Sequence, residues 1–287
     1  MAKYIDLHVH TLHSDGLNTP KEVLDMAIQN ETKYISICDH NTLKGNIIAR
    51  KIIEDEKLNI EIIKGIEIDS NYKDKLYKTF HVLGYNCNDE LLQVYLDELE
   101  RRNTEFFYEK FEFFKNNFND KMDIDEFFSL YNISSRPEQR LMDYLVHKGF
   151  VENRYDLYEK YNIQNNFDDI RKVVEIITKS GGVAVLAHPT RYEDRYKIAR
   201  EELSALVLEL KNYGLKGVES MYSLNSKEQT EYWTKFALDN NLIYTCGSDF
   251  HQIAEPERVI KLEIAKGDRN NLNVSDENII KRLKKEF

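Results

Sequence analysis

Two histidines two residues apart, His8 and His10, stand near the start of the chain in Ile5-Asp6-Leu7-His8-Val9-His10-Thr11, a stretch that reads as a β-strand. Side chains alternate along a strand, so both imidazoles share one face. An imidazole pair on one face is half of a metal site. Groups that could complete it recur in short patches: Ser14-Asp15-Gly16, Cys38-Asp39-His40-Asn41, Gly65-Ile66-Glu67-Ile68, Phe80-His81-Val82, Ala187-His188-Pro189 and Gly247-Ser248-Asp249-Phe250-His251. Mixed imidazole and carboxylate ligands suit Mn, Fe or Zn and need no thiolate. Clustered cations of that kind can activate a water near neutral pH and stabilise charge on a transferring phosphoryl group. The chemistry expected of such a centre is phosphoester hydrolysis.

The elements that must position these residues alternate. Strands are expected at Tyr4–His10, Tyr34–Cys38, Ile60–Ile68 and Thr79–Tyr85. Helices are expected from Thr19-Pro20-Lys21-Glu22 onward and over Leu43–Glu56. Thr19 reads as an N-cap, Pro20 as the first helical residue and Glu22 as the acid of a capping box. From about Asp89 to Asn166 helical periods run without strands. Leu92, Leu96, Leu99, Phe106 and Phe114 mark one apolar stripe. Shorter helices follow at Ile124–Tyr131, Pro137–Lys148 and Asn153–Tyr161. Alternation then resumes: helix Phe167–Ser180, strand Val183–His188, helix Glu201–Tyr213, strand Gly217–Ser220, helix Ser226–Asn240 and strand Ile243–Gly247. The pattern implies an α/β barrel-like core, residues 1–88 and 167–287, interrupted by an all-helical insertion, residues 89–166. Every histidine patch except His147 is expected at or just past the C-terminal end of a strand, where such barrels build their sites.

The bulk properties narrow the class. The chain has 287 residues, 41% hydrophobic, and a formal net charge of −10. It can bury a large core, and its charge argues against a generic phosphate-backbone binder. Cys38, Cys87 and Cys246 show no CxxC spacing. An odd count and no secretory leader point to a reducing cytoplasm. No stretch approaches the apolar length of a membrane span.

Taken in order, His8-Val9-His10-Thr11 with Ser14-Asp15-Gly16, Asp39-His40, Gly65-Ile66-Glu67, His81, Ala187-His188-Pro189 and Gly247-Ser248-Asp249-Phe250-His251 resemble the PHP (polymerase and histidinol phosphatase) domain. That resemblance implies a distorted (β/α)7 barrel with three divalent metal ions. It implies one metal on His8, His10, Glu67 and Asp249, a second on Asp15, His40 and His251, and a third on Glu67, His81 and His188. Asp15, Glu67, His188 and Asp249 then carry the catalytic chemistry. His13, between the motifs, reads as a loop or rim residue, and His147 as a surface or packing residue. Asp6 and Asp39 adjoin ligands; they either orient imidazoles or point away along their strands.

The segment Ile133-Ser134-Ser135-Arg136-Pro137-Glu138, with His147-Lys148-Gly149-Phe150-Val151 and Pro189-Thr190-Arg191-Tyr192, resembles the nucleotide-directed branch of that family. Glu138 departs from it, standing where the branch usually has histidine. The branch implies 3′,5′-bisphosphate nucleotides or short RNA ends as substrates. A small-metabolite phosphatase, such as one for histidinol phosphate, is the alternative enzyme reading. A metal-stabilised module without catalysis is a third, against which the complete ligand set argues. Phosphates need fixed donors besides metals, and Arg136, Arg191 and Arg102 are the candidates. The insertion's aromatics must mostly form its own core. Its 10 Lys/Arg against 17 Asp/Glu make it a poor track for long nucleic acid and suit a small phosphorylated partner.

Overall fold

The computed structural model describes residues 2–72, 79–118, 122–130, 136–152, 161, 166–251 and 272–287. The expected helix at Asn153–Tyr161 and the motif residues Ile133-Ser134-Ser135 lie outside the described residues, Tyr161 excepted.

Strand β1 (Tyr4–Val9), β2 (Thr32–Ile37) and β3 (Glu61–Ile62) form a parallel sheet in that order. Helix α1 (Pro20–Gln29) crosses from β1 to β2, and α2 (Lys44–Glu56) from β2 to β3. The start of α1 follows its local code. The Thr19 side chain accepts from the Glu22 N–H while Glu22 reaches back to Thr19, so two helix-end donors are satisfied reciprocally. Val23, Leu24 and Ala27 on its inner face meet Val9, Ile35 and Ile37 in a small core.

The second sheet has the order β4 (Gly65–Asn71), β5 (Thr79–Tyr85), β6 (Val183–Leu186), β7 (Leu215–Tyr222) and β8 (Ile243–Gly247). The helices α6 (Ile170–Lys179), α7 (Pro189–Tyr196), α8 (Arg200–Lys211), α9 (Lys227–Asp239) and α10 (Asn278–Leu283) accompany it. Strand β6, Val-Ala-Val-Leu, is buried throughout, as a strand covered on both faces must be. This sheet carries the main core, from Ile66 and Val82 to Trp233 and Ile279.

Three expectations are corrected. The single strand Ile60–Ile68 divides. Ile63 N–H still bonds to Ile35 O in the first sheet, whereas Gly65 begins the pairing with Tyr85 in the second. Strand β5 is antiparallel to both neighbours rather than part of a regular strand–helix repeat. Asn71 and Thr79 are too close in sequence for the crossover that a parallel pair requires. Finally, α7 and α10 are helices where none was expected, because each is too short to show a periodic stripe.

The expected helical segment contains α3 (Asp89–Asn117), α4 (Ile124–Leu130) and α5 (Pro137–His147). The α3 stripe runs through Leu92, Leu96, Leu99, Asn103, Phe107, Phe111 and Phe114. Helical spacing from Leu99 passes through Asn103 to Phe107, so Phe106 falls off the inner face. Phe107, Phe111, Phe114, Phe127 and Tyr144 form a core separate from that of the sheets.

Backbone bonds tie the two sheets together at one end. Asp249 N–H donates to His8 O and His10 N–H to Phe250 O, each 2.8 Å. Asn41 N–H donates to Glu67 O at 2.8 Å and Glu67 N–H to Asp39 O at 3.3 Å. These junctions carry the histidines and acids singled out above.

Candidate metal centre

The alternation of β1 aims Leu7 and Val9 into apolar cores and sends His8 and His10 to the opposite face, both fully buried. Their Nε2 atoms are 3.1 Å apart. Glu67 projects from β4 between them and the other rings. One oxygen lies 3.1 Å from His8 Nε2 and 3.2 Å from both His10 Nε2 and His40 Nε2. The other lies 2.9 Å from His81 Nδ1 and 3.2 Å from His188 Nε2. His81 is the third residue of β5, not at its C-terminal end as expected. The antiparallel run of β5 corrects for this, because it sets His81 opposite Asp69 at the site end of β4.

Ligand atoms gather in three groups, each within 4.8 Å: His10, Asp15, His40 and His251; His8, Glu67, His188 and Asp249; and His40, Glu67 and His81. The same nine residues named from the sequence are thus brought together. Their grouping differs from the expected one. His10 also stands with Asp15, while its Nε2 stays 3.1 Å from His8 Nε2; His188 joins His8, and His40 is shared with Glu67 and His81. His13 stands partly buried outside these groups, with its N–H on Thr11 Oγ1, and His147 is exposed.

The donor set fits cations. Asp15 Oδ1, Glu67 Oε2 and Asp249 Oδ1 are buried, with imidazole nitrogens at 3.3, 3.1 and 3.1 Å but no well-directed hydrogen bond among the described residues. Such orphaned oxygens are rare unless a ligand completes them. The electrostatics agree. For His10 burial disfavours charge, yet the Asp249 and Glu67 carboxylates beside it push it up to about 10. His8 is also raised, because Glu67, Glu219 and Asp249 outweigh its burial. Burial dominates at His40, His81 and His188 and lowers them, leaving neutral rings with free lone pairs. The excess of buried carboxylate over cationic side chains is what divalent ions would neutralise.

Other residues hold these in place. Asp39 accepts from Thr11 N–H (2.7 Å), Thr11 Oγ1 (2.6 Å) and Ser14 Oγ (2.7 Å), fixing the loop that bears Asp15. Asp6 accepts from Ser248 N–H (2.9 Å) and Oγ (2.7 Å), fixing the loop that bears Asp249. Both acids therefore brace loops rather than imidazole rings. His188 and Asp249 adopt positive φ, 27° and 54°, a backbone cost of roughly 1–3 kcal/mol each that the surroundings must impose.

Glu219 was not singled out from the sequence, although one acid inside the strand Gly217–Ser220 was a usable signal. It is fully buried on β7. One oxygen is 3.0 Å from His8 Nδ1 and the other accepts from His188 N–H at 2.9 Å. Gly247 makes room for this pair: a Cβ there would strike both His8 Cβ and Glu219 Oε1. Glu219 thus fixes His8 with Nε2 toward the cluster and holds the strained His188 backbone. Glu219→Gln protein should bind metal roughly 10- to 100-fold more weakly, measured by chelator competition. Unchanged affinity would show that His8 needs no such partner.

The arginines separate. Arg136, at the start of α5, donates to Asp15 Oδ2 at 2.9 Å and holds Asp69 through two nitrogens at 2.9 and 3.1 Å. Asp69, another residue missed in the sequence, also lies 3.1 Å from His40 Nδ1. Arg191 on α7 donates to Asp249 Oδ2 at 2.9 Å. Arg102 instead pairs with Asp168 at 2.7 Å, outside the cluster.

Residues 6–223 match the model of the PHP domain. The chain belongs to the PHP domain family. It is a metal-dependent phosphoesterase, a hydrolase of phosphoric ester bonds. It is 28% identical over 270 residues to a 5′-3′ exoribonuclease of Haemophilus influenzae, covering 88% of this chain and 91% of that one. It is 26% identical over 258 residues to a phosphoribosyl 1,2-cyclic phosphate 1,2-diphosphodiesterase of Eggerthella lenta, covering 86% and 93%. A solved candidate metal-dependent phosphoesterase of Bifidobacterium adolescentis shares the fold of this PHP chain, with a TM-score of 0.72 at 24% identity over 100% of this chain and 97% of the other.

Proposed function

We propose that this PHP phosphoesterase hydrolyses nucleotide-type substrates, 3′,5′-bisphosphate nucleotides or short RNA ends. The observation that carries this reading is the pair of arginines at the cluster. Arg136 arrives from the helical segment onto Asp15, and Arg191 from the sheet domain onto Asp249. Two guanidinium groups on two different ligand groups suit a substrate with a second phosphate besides the one cleaved. The exoribonuclease relative supports a nucleotide end; the cyclic phosphodiesterase relative supports the phosphoester chemistry without the nucleotide.

In this reading the two sheets, joined at the backbone junctions above, form the distorted (β/α)7 barrel, and residues 89–166 form a lid that selects the substrate. The three groups would hold three divalent ions, Mn, Fe or Zn. Bound there, such ions polarise the phosphoryl group and activate a water. Glu67 keeps the groups together by serving two of them. Asp15 and Asp249 serve one each and brace Arg136 and Arg191 until phosphate arrives. His188, fixed by Glu219, presents a neutral ring. The place of action proposed is the cytoplasm; no helix among the described residues is long and apolar enough to cross a membrane.

A panel of Mn-loaded protein with adenosine 3′,5′-bisphosphate, 5′-phosphorylated short RNA, a ribosyl 1,2-cyclic phosphate and histidinol phosphate tests the reading. The first two are expected to give the highest kcat/KM. A preference for histidinol phosphate or the cyclic ester would replace the nucleotide assignment.

A further inference from the structure

Six tyrosines are buried among the described residues, and five have a hydroxyl partner. Tyr72 donates to Glu209 at 3.1 Å, Tyr85 to Leu7 O at 3.0 Å, Tyr144 to Glu126 at 2.8 Å and Tyr244 to Asp276 at 2.8 Å. The Tyr192 hydroxyl accepts from His81 N–H at 2.8 Å. The sixth, Tyr222, is 5% exposed, and its hydroxyl is enclosed with no hydrogen-bond partner among the described residues. An unmade hydrogen bond on a buried hydroxyl costs stability, and native structures keep few of them. A phenylalanine would fill the same space without that cost.

The place of Tyr222 says what its partner could be. It is the last residue of β7, in register with Gly247, two residues before Asp249. Its ring lies 5.7 Å, centroid to centroid, from that of His188. Asp249 Oδ1 and Glu67 Oε2, both orphaned, belong to the same ligand group as His188. A phenol carries its proton at neutral pH and can donate it in a hydrogen bond. Among the described residues it is therefore a donor with nothing to donate to, beside a cluster suited to cations.

We propose that the Tyr222 hydroxyl donates a hydrogen bond to a non-bridging oxygen of the phosphoryl group held at the His8, Glu67, His188 and Asp249 group. The assignment rests on the phosphoesterase reading above. Arg191 lies on Asp249 in this structure; a phosphate that draws the guanidinium off that carboxylate gains the phenol as a second donor. No proton is transferred, and the phenol orients the phosphoryl group.

Tyr222→Phe removes only the hydroxyl. In the metal-loaded protein kcat/KM toward the wild type's best phosphoester should fall about tenfold, the worth of one neutral hydrogen bond. Affinity for inorganic phosphate, measured by calorimetry, should weaken by a similar factor. Metal content should not change. The Tm of the chelator-treated variant should equal or exceed that of the wild type, because no bond is lost there. Unchanged turnover and phosphate affinity, a lower Tm after chelation, or loss of metal would each overturn the assignment. If the wild type cleaves no phosphoester, the functional reading fails; phosphate affinity then judges Tyr222 by itself.

Discussion

Glu67→Gln protein is expected to hydrolyse its best substrate at least about a thousandfold more slowly than the wild type, a barrier increase of roughly 4 kcal/mol. Glu67 contributes an oxygen to two of the three ligand groups and has five imidazole nitrogens within 3.2 Å. An amide keeps the shape but removes the charge and turns one acceptor into a donor facing those rings. Both cations that the carboxylate would serve lose a ligand together. Elemental analysis should therefore find close to three transition-metal ions in the metal-supplied wild type and a clear deficit in the variant. Chelation of the wild type should abolish turnover, and Mn or Zn should restore it. Hydrolysis at the wild-type rate by Glu67→Gln protein would sink the metal assignment.

The second large effect divides by substrate. Arg136→Ala and Arg191→Ala should each lose about 2–4 kcal/mol of transition-state stabilisation with a two-phosphate nucleotide, roughly 30- to 1000-fold in kcat/KM. A simple aryl phosphate, which has no second phosphate to hold, should lose much less. Both guanidinium groups are held ready by carboxylates, Arg136 by Asp15 and Asp69 and Arg191 by Asp249, so little ordering cost remains when phosphate replaces them. Metal content is the control, because Asp15 and Asp249 are themselves ligand-group members. Equal slowing of both substrates would refute the second-phosphate model and leave the nucleotide assignment on resemblance alone.

The two variants also separate the roles of the sheets and the helical segment. Arg191 belongs to a helix that begins directly after His188, so its approach follows from local chain geometry. Arg136 comes from residues far from any ligand in sequence. Its arrival at Asp15, 121 residues away, depends on how α5 rests against the cluster.

The spacing of His8 and His10 was readable because the side-chain period of a strand is local and strict. The capped start of α1 was readable for the same reason: every partner lies within three residues. So were all nine ligand-type residues, since metal chemistry restricts them to few side chains. The helical stripe of α3 was legible at Leu92, Leu96, Leu99 and Phe114 and missed only at Phe106, because the polar Asn103 occupies an inner position that hydrophobicity does not mark.

Tertiary structure decided the rest. Which imidazole meets which carboxylate depends on how β1, β4, β6 and the segment after β8 converge. His8 and Glu219 are 211 residues apart, and His188 and Glu67 are 121 apart. The reversed direction of β5 brings His81 to the site from the start of its strand. The bracing acids Glu219 and Asp69, and the unpaired hydroxyl of Tyr222, carry no spacing signature of their own. A strand's period settles which face a residue takes; only the packing of distant strands settles what that face encounters.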